Sequence, residues 1–184
     1  MRDFPLPRRA RLAKAHGCGN SFVVATDADD SYDPSAEEVR ALCSQAFGIG
    51  ADGFIRCVRS GGAWFMDYRN ADGSKAEMCG NGVRVFVDHL RREGLVDLPV
   101  GQTLDVATRG GIKRVTPESE DEGQGASYRV DMGSAASPAR ETITVTVPGI
   151  GSAMGGIWVE MPNPHTVVEL ADEETLRGVF LPTV

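Results

Sequence analysis

Short stretches with apolar and polar residues in alternation outnumber helical repeats along this chain. That imbalance limits it to an α+β fold with more strand than helix. Residues 12–15 and 22–25 read as strands flanking a glycine-rich turn, His16-Gly17-Cys18-Gly19-Asn20. Residues 54–58 and 64–69 read as a second pair, joined at Ser60-Gly61-Gly62. Alternation returns in Leu104, Val106 and Thr108, in Tyr128, Val130 and Met132, in Ile143, Val145 and Val147, and in Ile157, Val159 and Met161. Helical spacing interrupts this pattern in two places. Ser35 with Glu38 forms a capping box ahead of Val39, Leu42, Cys43 and Ala46, which fall on one face until Gly48-Ile49-Gly50-Ala51-Asp52-Gly53 breaks the repeat. Val83, Phe86, Val87 and Leu90 form the second apolar stripe, closed by Gly94. A further helix start lies near Asp172-Glu173-Glu174.

At 184 residues and 41% hydrophobic, the chain can bury a core of one domain or a domain and a half. The run Glu118-Ser119-Glu120-Asp121-Glu122-Gly123 carries like charge and no apolar residue, so it reads as a solvated hairpin tip or short linker. It is the natural place to divide residues 1–117 from 118–184. The net charge of −7 is not offset by any basic block, which argues against nucleic acid and against anionic membrane surfaces as partners. The N-terminal positive residues lack the apolar run a secretory signal needs, and no stretch is long and apolar enough to span a bilayer. The expected location is the cytoplasm. Cys18, Cys43, Cys57 and Cys79 form no C-x-x-C pair and have no ligand-spaced histidine, so no metal site or redox pair is expected. Four free thiols suit a reducing compartment, and Cys18, Cys43 and Cys57 read as small buried hydrophobes.

Cys79 is different. It stands just before the first turn of the second helix, in Met78-Cys79-Gly80-Asn81-Gly82. Helix N-termini present unpaired N–H groups and a partial positive charge, which favour thiolate over thiol. Gly80 and Gly82 leave the backbone bare, so a carboxylate can approach the N–H groups of Gly80 and Asn81. An anion cradle and a proton-transfer group thus lie side by side. Inverting an α-carbon without pyridoxal phosphate needs a base on one face and an acid on the other, and thiols serve as either near neutrality. A structural turn is the plainer reading of the same residues. A cysteine nucleophile is a third; it needs a histidine base, and His89 lies ten residues along the same helix, which leaves only His16 and His165.

Taken in order, several segments resemble the diaminopimelate epimerase family. Lys14-Ala15-His16-Gly17-Cys18-Gly19-Asn20-Ser21-Phe22 is similar to its K-x-H-G-x-x-N-D-F opening, and Gly48-Ile49-Gly50-Ala51-Asp52-Gly53 to its G-I-G-x-D-G loop. Arg69-Asn70-Ala71-Asp72-Gly73-Ser74, followed by residues 76–84 around Cys79, resembles its most specific stretch. Thr108-Arg109-Gly110-Gly111, Val130-Asp131-Met132-Gly133 and the Asn163-Pro164-His165 turn fit three further landmarks. The resemblance implies a diaminopimelate-epimerase-like α+β fold of two pseudo-symmetric halves, each with an antiparallel or mixed sheet wrapped around a central helix. It implies an isomerase of lysine and peptidoglycan-precursor biosynthesis that interconverts L,L- and meso-diaminopimelate with two cysteines and no cofactor or metal. It also implies roles: Cys79 as a catalytic cysteine, His165 in support of catalysis, Gly80 and Asn81 at the substrate carboxylate, and Asn20, Asn70 and Asn163 as substrate-binding amides. His16 packs its turn. A homodimer is an assembly the resemblance allows.

Two departures stand out. Ser21 occupies the place of the family's aspartate. The family's E-R-G and C-G-T-G motifs, which bring the second cysteine, do not occur after His165. The second half, 118–184, is therefore expected to be incomplete and the chain to be an inactive fragment of a working enzyme; a non-catalytic or amino-acid-binding product of the same fold is the alternative. The proline racemase type carries a histidine where Asn81 stands, and the phenazine-biosynthesis type lacks the cysteine, so both are disfavoured.

Overall fold

The computed structural model describes residues 11–123, 125–136, 142–150, 152–161 and 163–179, with the Asn163 side chain outside them. The chain divides into two compact units between Met132 and Gly133.

The first unit is a seven-stranded mixed sheet in sequence order: β1 (Leu12–Gly17), β2 (Asn20–Thr26), β3 (Gly53–Ser60), β4 (Ala63–Asn70), β5 (Leu104–Thr108), β6 (Gly111–Pro117) and β7 (Tyr128–Asp131). Neighbours are antiparallel except at two places, β2 beside β3 and β4 beside β5. Parallel neighbours need a crossover, and a helix supplies each one: α1 (Ala36–Cys43) and α2 (Gly80–Arg92). The sheet curls around α2, which packs on β1, β2, β3, β4, β6 and β7. Val83, Phe86, Val87 and Leu90, the stripe visible in the sequence, are fully buried there. Each such side chain contributes about 1.5–3 kcal/mol on leaving water. Helix α1 covers the opposite face, with Val39, Leu42 and Cys43 against Val23, Ala25 and Phe54.

The Ser35 capping box forms as expected. The helix it opens stops at Cys43, before Ala46, because Ile49 and Gly50 fold back to donate to the Leu42 carbonyl at 2.8 and 3.2 Å. Strand β6 escapes a reading by alternation. It buries Lys113 along with Val115, Thr116 and Pro117; the Lys113 ammonium donates to the Met132 carbonyl at 3.1 Å, while Ile112 beside it is exposed. The acidic run after β6 connects two antiparallel strands of one sheet, which is the hairpin-tip reading of that segment.

The second unit is a three-stranded antiparallel sheet, ordered β10-β9-β8, with strands β8 (Thr142–Val145), β9 (Met154–Met161) and β10 (Asn163–Val168), followed by α3 (Glu173–Arg177). Asn163-Pro164-His165, expected as a turn, forms the first residues of β10. An edge strand tolerates a proline because one side of its ladder is unpaired. Asp172 caps α3, accepting from the Thr175 N–H at 2.7 Å. Residues 181–184 and the basic N-terminal segment lie outside the described residues. Among the described residues, no helix is long and apolar enough to cross a membrane.

Candidate active site

Cys79 is the N-cap of α2, in extended backbone with φ −137° and ψ 118°. Its carbonyl accepts the Val83 N–H at 2.9 Å, and its Sγ accepts the Gly82 N–H at 3.3 Å. A sulfur thus fills the place that a serine or aspartate oxygen usually takes at a helix start. Gly80 and Asn81 are the first two helical residues, so their N–H groups have no acceptor within the helix. The thiol is half-buried, with one backbone donor on it and two more beside it.

The hairpin turn between β1 and β2 meets this helix end. Cys18 and Gly19 both have positive φ, 50° and 87°, the pattern of a two-residue turn that matches the twist of its strands. The turn delivers Asn20, whose Oδ1 accepts from Asn81 Nδ2 at 2.8 Å. Cys18 is exposed at this turn and is not the buried hydrophobe the sequence suggested, because a tight hairpin tip has no interior. Behind Asn20 stands Asp52. Its carboxylate accepts from the Ser21 N–H at 2.8 Å and from Ser21 Oγ at 3.1 Å. The Ser21 backbone donor, with these partners, holds the Asp52 carboxyl below its usual range. Ser21, read in the sequence only as a missing charge, is therefore a working anchor for this loop.

Asn70 ends β4. Its Nδ2 donates to Ser74 Oγ at 3.0 Å, and its Oδ1 accepts from the Tyr68 hydroxyl at 3.1 Å. Burial first, and then the nearby Cys79, raise the same phenol above the ordinary tyrosine value. Tyr68 was not singled out by motif, since a tyrosine inside an alternating strand looks like core. Arg109 also escaped, although it lies in the Thr108-Arg109-Gly110-Gly111 landmark. Its Nη1 donates to the carbonyls of Tyr68, at 2.9 Å, and Ala76, at 3.3 Å, tying β4 to the segment that carries Cys79. Its Nη2 pairs with Asp67, a carboxylate only 1% exposed that also binds Arg56 and Arg69. Burial raises the Asp67 carboxyl, but hydrogen bonds from Arg69 and Arg109 outweigh it, and the net position is far below the usual range.

The structure brings Asn20 and Asn81 together at the start of α2 beside Cys79 and Gly80, and places Asn70 in the same unit at the end of β4. His165 lies exposed in β10 of the second unit, and Asn163 opens the same strand. His89 is no base for Cys79: it is buried, its Nε2 lies 2.8 Å from Thr26 Oγ1, and burial pulls its ring below the ordinary histidine value. His16 is exposed on β1. Among the described residues, no group of three or more histidine, cysteine or acidic side chains could hold a metal ion.

The four thiols should separate by reactivity. Burial pushes Cys43 up to about 11 and pushes Cys57 higher still. With iodoacetamide near neutral pH and peptide mapping by mass spectrometry, Cys79 is expected to be modified at least about tenfold faster than Cys43 or Cys57. Equal rates at Cys79 and Cys43 would contradict the placement of Cys79 at an open, donor-rich helix end.

The chain is similar to known proteins in sequence and in fold. Residues 12–137 match the family model described as diaminopimelate epimerase. The chain is 41% identical over 163 residues to the diaminopimelate epimerase of Corynebacterium glutamicum, covering 84% of this chain and 56% of that protein. It is 40% identical over 182 residues to that of Thermobifida fusca, covering 88% and 60%. In fold it is similar to a hydroxyproline epimerase from Agrobacterium vitis, with a TM-score of 0.66 at 12% identity over 91% of this chain and 53% of that one. The chain thus spans a little over half the length of these curated relatives. The chain belongs to the diaminopimelate epimerase family.

Proposed function

We propose that this chain supplies the first acid–base half of an enzyme that interconverts L,L- and meso-diaminopimelate without pyridoxal phosphate or metal. The observation that carries the reading is Cys79 at the start of α2, its Sγ held by the Gly82 N–H beside the free donors of Gly80 and Asn81. A substrate α-carboxylate on those donors sets its α-carbon next to the sulfur. There it also meets the positive end of α2, which stabilises the carbanion-like charge that spreads onto the carboxylate as the proton leaves. The thiolate of Cys79 removes the α-proton in one direction, and the thiol returns it in the other. Asn20, Asn70, Asn81 and Asn163 are the amides proposed to grip the zwitterion, and His165 the side chain that supports the transfer.

Inversion needs a second group on the opposite face. Cys43 and Cys57 are buried and Cys18 sits on a hairpin tip, so none of the three is offered to a substrate held at Cys79 as an opposed partner. We assign that role to the part of the relatives' length that this chain does not span. Residues 1–117 carry the first half in this reading, and 118–184 begin the second. Four free thiols suit a cytoplasmic enzyme, and a homodimer is the assembly to test.

The test is incubation of the protein, as its host makes it, with L,L-diaminopimelate, followed by separation of the stereoisomers. Accumulation of the meso form supports the reading. Saturable binding of diaminopimelate with no interconversion would instead favour an amino-acid-binding protein of the same fold.

A further inference from the structure

Arg84 bends back over the first turn of α2. Its Nη1 donates to the Gly80 carbonyl at 2.8 Å, and its Nε donates to the Tyr128 carbonyl on β7 at 3.2 Å. The helix already gives the Gly80 carbonyl one donor, the Arg84 N–H, so the guanidinium adds a second and charged one. The β7 end of this bridge is firm. Arg91 donates to the Tyr128 hydroxyl at 3.0 Å, and Asp88 accepts from it at 2.8 Å. Met132 lies beside the same glycine: a Cβ on Gly80 would stand 3.8 Å from its sulfur and its methyl, and 3.7 Å from Arg84 Nη1. For the helix alone this placing is unfavourable. A cation is stabilised at the C-terminal end of a helix, and the first turn of α2 has no acidic residue to offset this one. The arrangement leaves the helix start positive and open to an anion.

The carbonyl of Gly80 and the N–H of Asn81 belong to one peptide unit. A charged donor on the oxygen draws electron density from that unit and makes its N–H a stronger donor, the polarisation that runs through linked hydrogen bonds. We propose that Arg84 is a positioning residue for the substrate carboxylate, acting through the Gly80–Asn81 peptide to strengthen the Asn81 N–H. The inference rests on the epimerase reading, which puts the carboxylate on the N–H groups of Gly80 and Asn81. The Asn81 side chain is engaged with Asn20, which leaves its backbone N–H for the anion. The effect grows along the reaction. As the α-proton leaves, charge spreads onto the carboxylate, so a polarised donor gains more in the transition state than in the ground state. The Gly80 N–H is outside this influence, because it belongs to the Cys79–Gly80 peptide, whose carbonyl takes the Val83 N–H instead.

The experiment is Arg84→Met, which keeps the apolar stem and removes the guanidinium, with Arg84→Lys beside it, both in the protein as its host makes it. Assayed from L,L- and meso-diaminopimelate, Arg84→Met is expected to lower kcat by about tenfold and to raise KM by no more than about threefold, the scale of one charge acting across a half-buried site. Arg84→Lys, which keeps the charge and one donor, should lie between it and the wild type. The second readout is the amide proton shift of Asn81, by NMR on isotope-labelled protein without substrate. Arg84→Met should move the Asn81 amide upfield and leave that of Gly80 near its wild-type place. An unmoved Asn81 amide overturns the proposal, and so does joint displacement of the Gly80, Asn81 and Gly82 amides, which marks a loosened helix start. An unchanged kcat, a loss confined to KM, or an Arg84→Lys protein as slow as Arg84→Met also overturns it. Should Arg84→Met fail to fold by circular dichroism, Arg84→Gln takes its place under the same readouts. If the wild-type protein turns over neither isomer, the epimerase reading falls, and the Asn81 shift still decides whether Arg84 sets that donor.

Discussion

Asp67→Ala is expected to cost the fold about 3–5 kcal/mol, the scale for removing one partner from a buried charged cluster. Asp67 is 1% exposed and Arg69 is 2% exposed. Asp67 Oδ2 accepts from Arg69 Nη2 at 2.7 Å and from Arg56 Nε at 3.1 Å, while Oδ1 accepts from Arg69 Nε at 3.2 Å and from Arg109. Asp27, Asp30 and Asp33 pair with Arg56 or Arg69 from the far side, but they sit nearer solvent and cannot reach into the space Asp67 fills. The alanine variant therefore leaves buried guanidinium groups facing a hole. Urea unfolding followed by circular dichroism should show the midpoint falling sharply with little change in slope. The same group sets an acid limit. Its carboxyl titrates below its ordinary value of 3.8 in the folded state, so its contribution is complete above that value and is lost as pH falls beneath it. Because Arg109 also ties Tyr68 and Ala76 together, the loss should loosen the Cys79 segment before global unfolding. A variant within about 1 kcal/mol of wild type would mean the arginines find other partners.

The second large effect is on chemistry with the fold kept. Cys79→Ser should lower kcat for diaminopimelate epimerisation by at least about a hundredfold, within the roughly 10²–10⁴ range for a positioned acid or base. A serine hydroxyl is a far weaker acid than a thiol and is not populated as alkoxide near neutrality. The structural role of residue 79 survives, because serine is among the best N-caps and can accept the Gly82 N–H that Sγ now accepts. The expected pattern is therefore an unchanged or slightly raised melting temperature with activity lost. Retained turnover would remove Cys79 from the mechanism.

How much of this was legible beforehand depends on where each signal resides. The α2 stripe, the Ser35 box and the two glycine hairpins are written in local spacing and turn chemistry, and they formed where expected. Strand β6 was hidden because it buries a lysine that a backbone carbonyl from beyond β7 satisfies, a compensation only tertiary structure reveals. Cys79 stood out because a helix start imposes its own electrostatics. Tyr68 and Asp67 did not, since each acquires its meaning from residues far along the chain: Phe22 and Gly53 for the tyrosine, Arg56 and Arg109 for the aspartate. Asn20 lay in a recognisable signature, yet its pairing with Asn81, 61 positions away, required the β1–β2 hairpin to fold onto α2.

The most direct measurement is deuterium incorporation at the α-carbon of L,L-diaminopimelate in heavy water, with the wild-type protein as its host makes it and Cys79→Ser alongside. Label entering the α-position with the wild type, and not with the serine variant, is the expected result. No label with either protein, or equal label with both, would contradict the assignment of α-proton transfer to the cysteine at the start of α2.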